Sequence, residues 1–111
     1  MKKLILILTL LVVTSGNLPS VVVATWYDSH GAKTASGVRM HRDSLTAAYN
    51  YVPFGTKLEV TNIQNGKACT VVVTDRMGKT HPGRIDLSYA AFDSIGDLRK
   101  GRIEVNIKNL K

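Results

Sequence analysis

The run from Lys57 to Thr74 limits the fold more than any other part of the chain. Apolar Leu58 and Val60 alternate with polar Glu59 and Thr61 up to Ile63, Asn65-Gly66 follows, and Lys67 to Thr74 returns. A period of two on both sides of an Asn-Gly pair predicts an antiparallel β-hairpin, the pair supplying the positive φ angles of a tight turn. The Val71-Val72-Val73 run on the return strand predicts burial on both faces, which a closed barrel provides and a half-wetted open sheet does not. Ser20 to Tyr27 reads as a further β-branched strand, and Arg102 to Lys108 alternates Ile103, Val105 and Ile107 with polar residues. Ser88 fits the cap of a short helix through Tyr89 and Ile95, with Gly96 at its stop. Leu45 to Tyr49 is a short apolar element, and Val52-Pro53-Phe54-Gly55 is a turn into the hairpin. Asp28 to Arg42 and Asp75 to Ile85 read as polar loops, and loops of such length usually carry function. The pattern is mostly β: a small barrel with a helical insertion.

With 111 residues the chain has room for one domain. Its single cysteine, Cys69, excludes an internal disulfide framework and a multi-cysteine zinc cluster. That thiol sits within a strand and is expected to be buried and inert. Lys2 and Lys3 precede an apolar run from Leu4 to Val13, and small and turn-forming residues follow. Residues 1–16 therefore read as a secretory signal peptide. The run is about half the twenty or so residues a membrane-spanning helix needs, so no stable anchor is expected after cleavage. The domain, residues 20–110, is placed in the periplasm or outside the cell as a monomer. Formal charge is +7, and removing the two leader lysines leaves thirteen basic residues against eight acidic, or +5. Such an excess favours a polyanionic partner. Export turns that choice from nucleic acid to wall glycan.

Several separated motifs then fall in one order. Thr34-Ala35-Ser36-Gly37, Leu45-Thr46-Ala47-Ala48, the stretch from Val52 to Asn62, Val73-Thr74-Asp75-Arg76 and the stretch from Arg84 to Ala91 together resemble the double-psi β-barrel domain of rare lipoprotein A. The resemblance runs from about Ala24 to Ile107. It implies a six-stranded double-psi β-barrel with one or two short helices, a polysaccharide groove, and kinship with lytic transglycosylases and expansins. In that family a Glu, a His and an Asp form the catalytic groove, and the corresponding positions here are Val38, Tyr49 and Asp75. Two of the three have departed. Asp86, in Ile85-Asp86-Leu87-Ser88, resembles a second acidic residue that related barrels keep at the helix entrance.

The resemblance thus implies a peptidoglycan lytic transglycosylase that uses Asp75 as leading acid and base, with Asp86 in support. The chemistry needs a carboxylic acid to protonate the leaving oxygen, while the C6 hydroxyl of N-acetylmuramic acid closes onto its own C1 as a 1,6-anhydro end. A carboxyl serves as that acid only if burial or a neighbouring carboxylate keeps it protonated. For glycan binding, Trp26, Tyr27 and Tyr49 offer rings, Thr25 a hydroxyl, and Arg76 and Arg84 positive charge. The bland readings are core packing for the rings, a turn for Asp75 and helix capping for Asp86. His30, His41 and His81 lack ligand spacing, so neither metal nor other cofactor is expected. The rival function is an expansin-like module that binds and loosens wall polysaccharide without cutting it. Val38 and Tyr49 favour that rival, and the Asp75-Arg76 pair favours the enzyme. A secreted nucleic-acid-binding barrel has only charge behind it.

Overall fold

The computed structural model describes residues 20–78 and 83–110. The leader, Lys79 and His81 lie outside the described residues. Six strands, β1 (Ser20–Tyr27), β2 (Thr46–Ala48), β3 (Lys57–Asn62), β4 (Ala68–Asp75), β5 (Arg84–Ser88) and β6 (Arg102–Leu110), close a barrel in the order β1-β5-β2-β4-β3-β6. Helix α1 (Tyr89–Ile95) and a single 3-10 turn (Leu98–Lys100) separate β5 from β6. Among the described residues each strand thus has a paired neighbour on both sides. Two parallel pairs, β1 with β5 and β2 with β4, are joined by the antiparallel β5/β2 pair. This crossed arrangement brings the chemistry-bearing ends of β1, β2, β4 and β5 together.

The hairpin forms, but its turn differs from the expected one. Asn62 and Lys67 close a four-residue loop, with N–H to O at 2.8 Å, and of the Asn65-Gly66 pair only Gly66 has positive φ, at 75°. The reason is an anchor: the Asn62 and Asn65 amides both donate to Ile95 O at the end of α1, at 2.8 and 3.0 Å. Val71 and Val73 are fully buried while Val72 is half-exposed. The barrel is thus closed by its ring of pairings, without a strand buried on both faces.

The main departure is β5, because Arg84 and Ile85 belong to a strand and not to a loop. Ile85 and Leu87 point into the core with no exposure, which leaves Arg84 and Asp86 on the outer face. Ser88 ends this strand and caps α1, accepting from Ala91 N at 3.2 Å and donating to Ser44 O at 2.6 Å. Gly96 stops the helix with extended backbone, so its value is space: a Cβ there would stand 3.1 Å from Ile103 Cδ1. Phe92 and Ile95 of α1 pack into the core with Leu58, Val60, Val71 and Val105. Each such side chain contributes roughly 1.5–3 kcal/mol on burial. The core fills the barrel, so any site must lie on its outside.

Candidate active site

The strand register builds the site. Asp86 pairs with Thr25 on one side and with Ala48 on the other, and Ala48 pairs onward with Asp75. Thr25, Asp86, Ala48 and Asp75 therefore form one row across β1, β5, β2 and β4. The two aspartates stand two strands apart, about 9–10 Å between Cα positions. Ala48, with only a methyl group between them, is the floor of a trough of about 400 Å³ whose walls include Tyr27, Asp75, Arg76, Arg84 and Asp86.

Asp75 is held by backbone. Its Oδ1 accepts from Ala35 N at 3.0 Å and from its neighbour Arg76 N at 2.9 Å. Ala35 is in place because Thr34-Ala35-Ser36-Gly37 folds into a turn docked on the end of β4. Ser36 N donates to Thr74 O at 3.1 Å, Gly37 N to Thr34 O at 2.9 Å, and Thr34 Oγ1 to Val38 O. The φ of 93° at Gly37 is left-handed and suits glycine. The motif's job in this fold is to seat the aspartate.

Asp86 is held by a hydroxyl. Thr25 Oγ1 donates to Asp86 Oδ1 at 2.8 Å and accepts from an Arg84 guanidinium nitrogen at 3.3 Å. Burial pushes the Asp86 carboxyl above its ordinary value, the Thr25 bond and the Arg84 charge pull it back, and the Asp75 charge adds to the rise. Tyr27 is pushed up to about 12, mainly by burial, with both aspartates adding and Thr46 opposing. Its hydroxyl feels Thr46 Oγ1, yet both oxygens are buried without a hydrogen bond of good geometry. Thr46 and Ala48 were missed as site residues in the sequence. Their signal was the small-residue character of Thr46-Ala47-Ala48, which is legible only once β2 is known to lie between two acids.

Thus Thr25, Tyr27, Asp75, Arg76, Arg84 and Asp86 come together. Trp26 and Tyr49 do not reach the trough. Strand alternation turns Trp26 to the side of Val22 and Ala24, where its indole N–H donates to Leu98 O at 3.1 Å and its ring meets Tyr89 edge-on at 5.6 Å. Tyr49 is 9% exposed, part of the core and edge-on to Tyr51, and its backbone N–H donates to Asp75 O at 3.1 Å. Arg76 borders the trough, but its guanidinium is spent on Tyr49 O at 2.8 Å and Val52 O at 2.9 Å, and stacks over Phe54. Val38, at the family's glutamate position, is 58% exposed outside the trough. His30 and His41 are exposed and meet edge to face at 4.8 Å.

Comparison with known proteins agrees with this architecture. An Aquifex aeolicus protein described as a probable endolytic peptidoglycan transglycosylase RlpA is 44% identical over 90 residues, covering 79% of this chain and 40% of that one. The endolytic peptidoglycan transglycosylase RlpA of Vibrio cholerae is 43% identical over 88 residues, covering 77% of this chain and 33% of its own. The chain therefore spans well under half the length of these relatives. Among solved structures, a Clavibacter michiganensis expansin mutant in complex with cellohexaose superposes with a TM-score of 0.71 at 24% identity, over 85% of this chain and 51% of that one. At that identity the likeness concerns fold alone. The family described as lytic transglycolase matches residues 20–107, nearly every described residue, and this chain belongs to that double-psi β-barrel family.

Proposed function

We propose that the protein is an exported lytic transglycosylase that cleaves the bond between N-acetylmuramic acid and N-acetylglucosamine in peptidoglycan. The observation that carries this reading is the placement of Asp75 and Asp86 on either side of Ala48 in one trough. The raised carboxyl of Asp86 fits the general acid, because it holds its proton to higher pH than an exposed aspartate. Asp75, tied by two backbone N–H groups, fits the base. The leading acid role thus passes from Asp75 to Asp86. As the C1–O bond breaks, Asp86 gives its proton to the departing glucosamine oxygen. The C6 hydroxyl oxygen of the muramic acid bonds to C1, and its proton goes to Asp75. No water is consumed, and the product ends in a 1,6-anhydro ring. The dilysine head and apolar leader support export to the compartment where this polymer lies.

The test is incubation with purified sacculi and mass spectrometry of the soluble products. Anhydro-muropeptides are expected from the native chain, with a loss of at least about a hundredfold in Asp86→Asn and in Asp75→Asn. The second reading, a non-cutting wall-loosening module, draws on an exposed Val38 and a core-facing Tyr49 where the family has glutamate and histidine. Retention on sacculi with no anhydro product from the native chain would replace the first reading with the second.

A further inference from the structure

Among the described residues, Arg84 is the trough cation that makes neither an ion pair nor a bond to a carbonyl, although its charge still acts on Asp86 across Thr25. Among the described residues the ion pairs are Arg42 with Asp28 and Arg99 with Asp97, both elsewhere. Arg76, the other guanidinium at the trough, is consumed by two carbonyls and a phenyl ring. Among the described residues Arg84 hydrogen-bonds the Thr25 hydroxyl alone, at 3.3 Å, and its Nε is buried without a partner. A guanidinium nitrogen shut away from water and left unbonded is costly, and the cost is recovered when an acceptor arrives. Among the described residues nothing supplies that acceptor, and the trough opens beside it.

The shape of the group says which acceptor. A guanidinium presents paired N–H donors in a planar fork, matched by the two oxygens of a carboxylate better than by a lone sugar hydroxyl. Position agrees. Arg84 lies two residues before Asp86 on β5, on the same outer face, which is about 7 Å along the strand. The Thr25 hydroxyl nevertheless joins the two side chains, at 3.3 Å from the Arg84 guanidinium and 2.8 Å from Asp86 Oδ1, so a ligand carboxylate seated at Arg84 meets no opposing charge from Asp86 while that group holds the proton its acid role requires.

We infer that Arg84 forms a carboxylate subsite, by which the trough distinguishes an acidic wall glycan from a neutral one. The inference rests on the peptidoglycan reading above and deepens it. Two sources offer the same chemistry: the lactyl ether of a muramic acid that bears no peptide, and the free carboxylates of an attached stem peptide. Arg84 acts as a specificity residue, and the bond-breaking roles stay with the aspartates.

The test is equilibrium binding at low salt, by calorimetry or amide chemical shifts, under conditions of pH or time in which no product forms. The probes are a tetrasaccharide of alternating N-acetylglucosamine and N-acetylmuramic acid with free lactyl carboxylates, the same tetrasaccharide carrying stem peptides, and the neutral chitotetraose. The native chain is expected to bind at least one carboxylate-bearing probe about tenfold or more tightly than chitotetraose, with the preference weakening as salt rises. Preference for the first probe assigns the lactyl group, and preference for the second assigns the peptide. Arg84→Gln is expected to bring all three probes within about twofold of one another. Equal binding of all three by the native chain overturns the inference without recourse to any variant, as does an Arg84→Gln protein of native spectrum that keeps the preference. Either result can occur while sacculi still yield anhydro products, so this failure is separable from failure of the enzyme reading.

Discussion

Asp75 and Asp86 are cross-strand partners of the same residue, Ala48, one through a parallel pairing and the other through an antiparallel one. Only a strand lying between a parallel and an antiparallel neighbour can do this, and the crossed double-psi topology creates that situation at β2. Ten residues separate the aspartates from each other in sequence, yet what sets their spacing is a third segment, almost thirty residues upstream of the first. The register at Ala47/Ala48 shifts where β2 meets β4, as at a β-bulge, and such irregularities commonly re-aim side chains beside functional sites.

Ala48 is accordingly a position where size matters more than chemistry. It is 4% exposed, lies outside the main core cluster, and faces the trough. Ala48→Leu is expected to fill the space between the carboxylates, cutting sacculus turnover by at least about a hundredfold through misplacement of the sugar. The melting transition should move by about 1 kcal/mol or less, since the added atoms enter the trough. Anhydro-product release and thermal melting, measured on the same preparation, check both halves.

Asp86 links the site to stability through pH. Its carboxyl is raised in the fold, so between the ordinary aspartate value and the raised one the native state binds more protons than the unfolded state. Stability from this group is then full below an ordinary pKa of about 4 and declines as pH rises through the raised value. Asp86→Asn keeps an acceptor for Thr25 and removes the charge, so it should melt at a higher temperature than the native chain at pH 7 and lose that advantage near pH 3. It should also be inactive. An Asp86→Asn protein that melts lower at pH 7 would show that the ionised carboxylate stabilises the fold.

The hairpin, the last strand, the capped helix and the six-stranded closure were legible because each is written in local alternation or in a motif. Strand β5 was not. Its five residues are too few for a period to stand out beside the polar run before them, and Ser88 announces a helix while also ending a strand. Asp75 and Asp86 could be named from the sequence, but not their relation, since Ala48 brings them together only after β2 inserts between β4 and β5. The two ring residues show the opposite case. Trp26 and Tyr49 stand where a sugar platform was expected, and strand alternation and core volume claim both.

Trp26 therefore separates packing from binding. Its indole N–H satisfies Leu98 O, and its ring closes the side of the core against Tyr89. Trp26→Phe should cost about 1–3 kcal/mol, from an unmet carbonyl and lost contact. Retention on sacculi below the melting transition should be unchanged. Denaturant melts and pull-down at 20–25 °C or so decide the matter, and a loss of retention at unchanged stability would return Trp26 to the binding surface.

Arg76 shows why a positive charge beside the trough need not be there for a ligand. Its guanidinium joins three backbone stretches: its own strand end, the carbonyl after β2 at Tyr49, and Val52 at the start of the turn into β3, with the Phe54 ring held 3.9 Å from its carbon. Lysine keeps the charge but cannot reach two carbonyls in one plane or stack in the same way. Arg76→Lys is thus expected to destabilise the barrel by about 1–3 kcal/mol. It should speed amide exchange at Gly55, whose N–H bonds Val73 O, while leaving the salt dependence of glycan binding as it was. If instead the salt dependence falls and stability holds, Arg76 is reading the ligand's charge and the clamp is incidental.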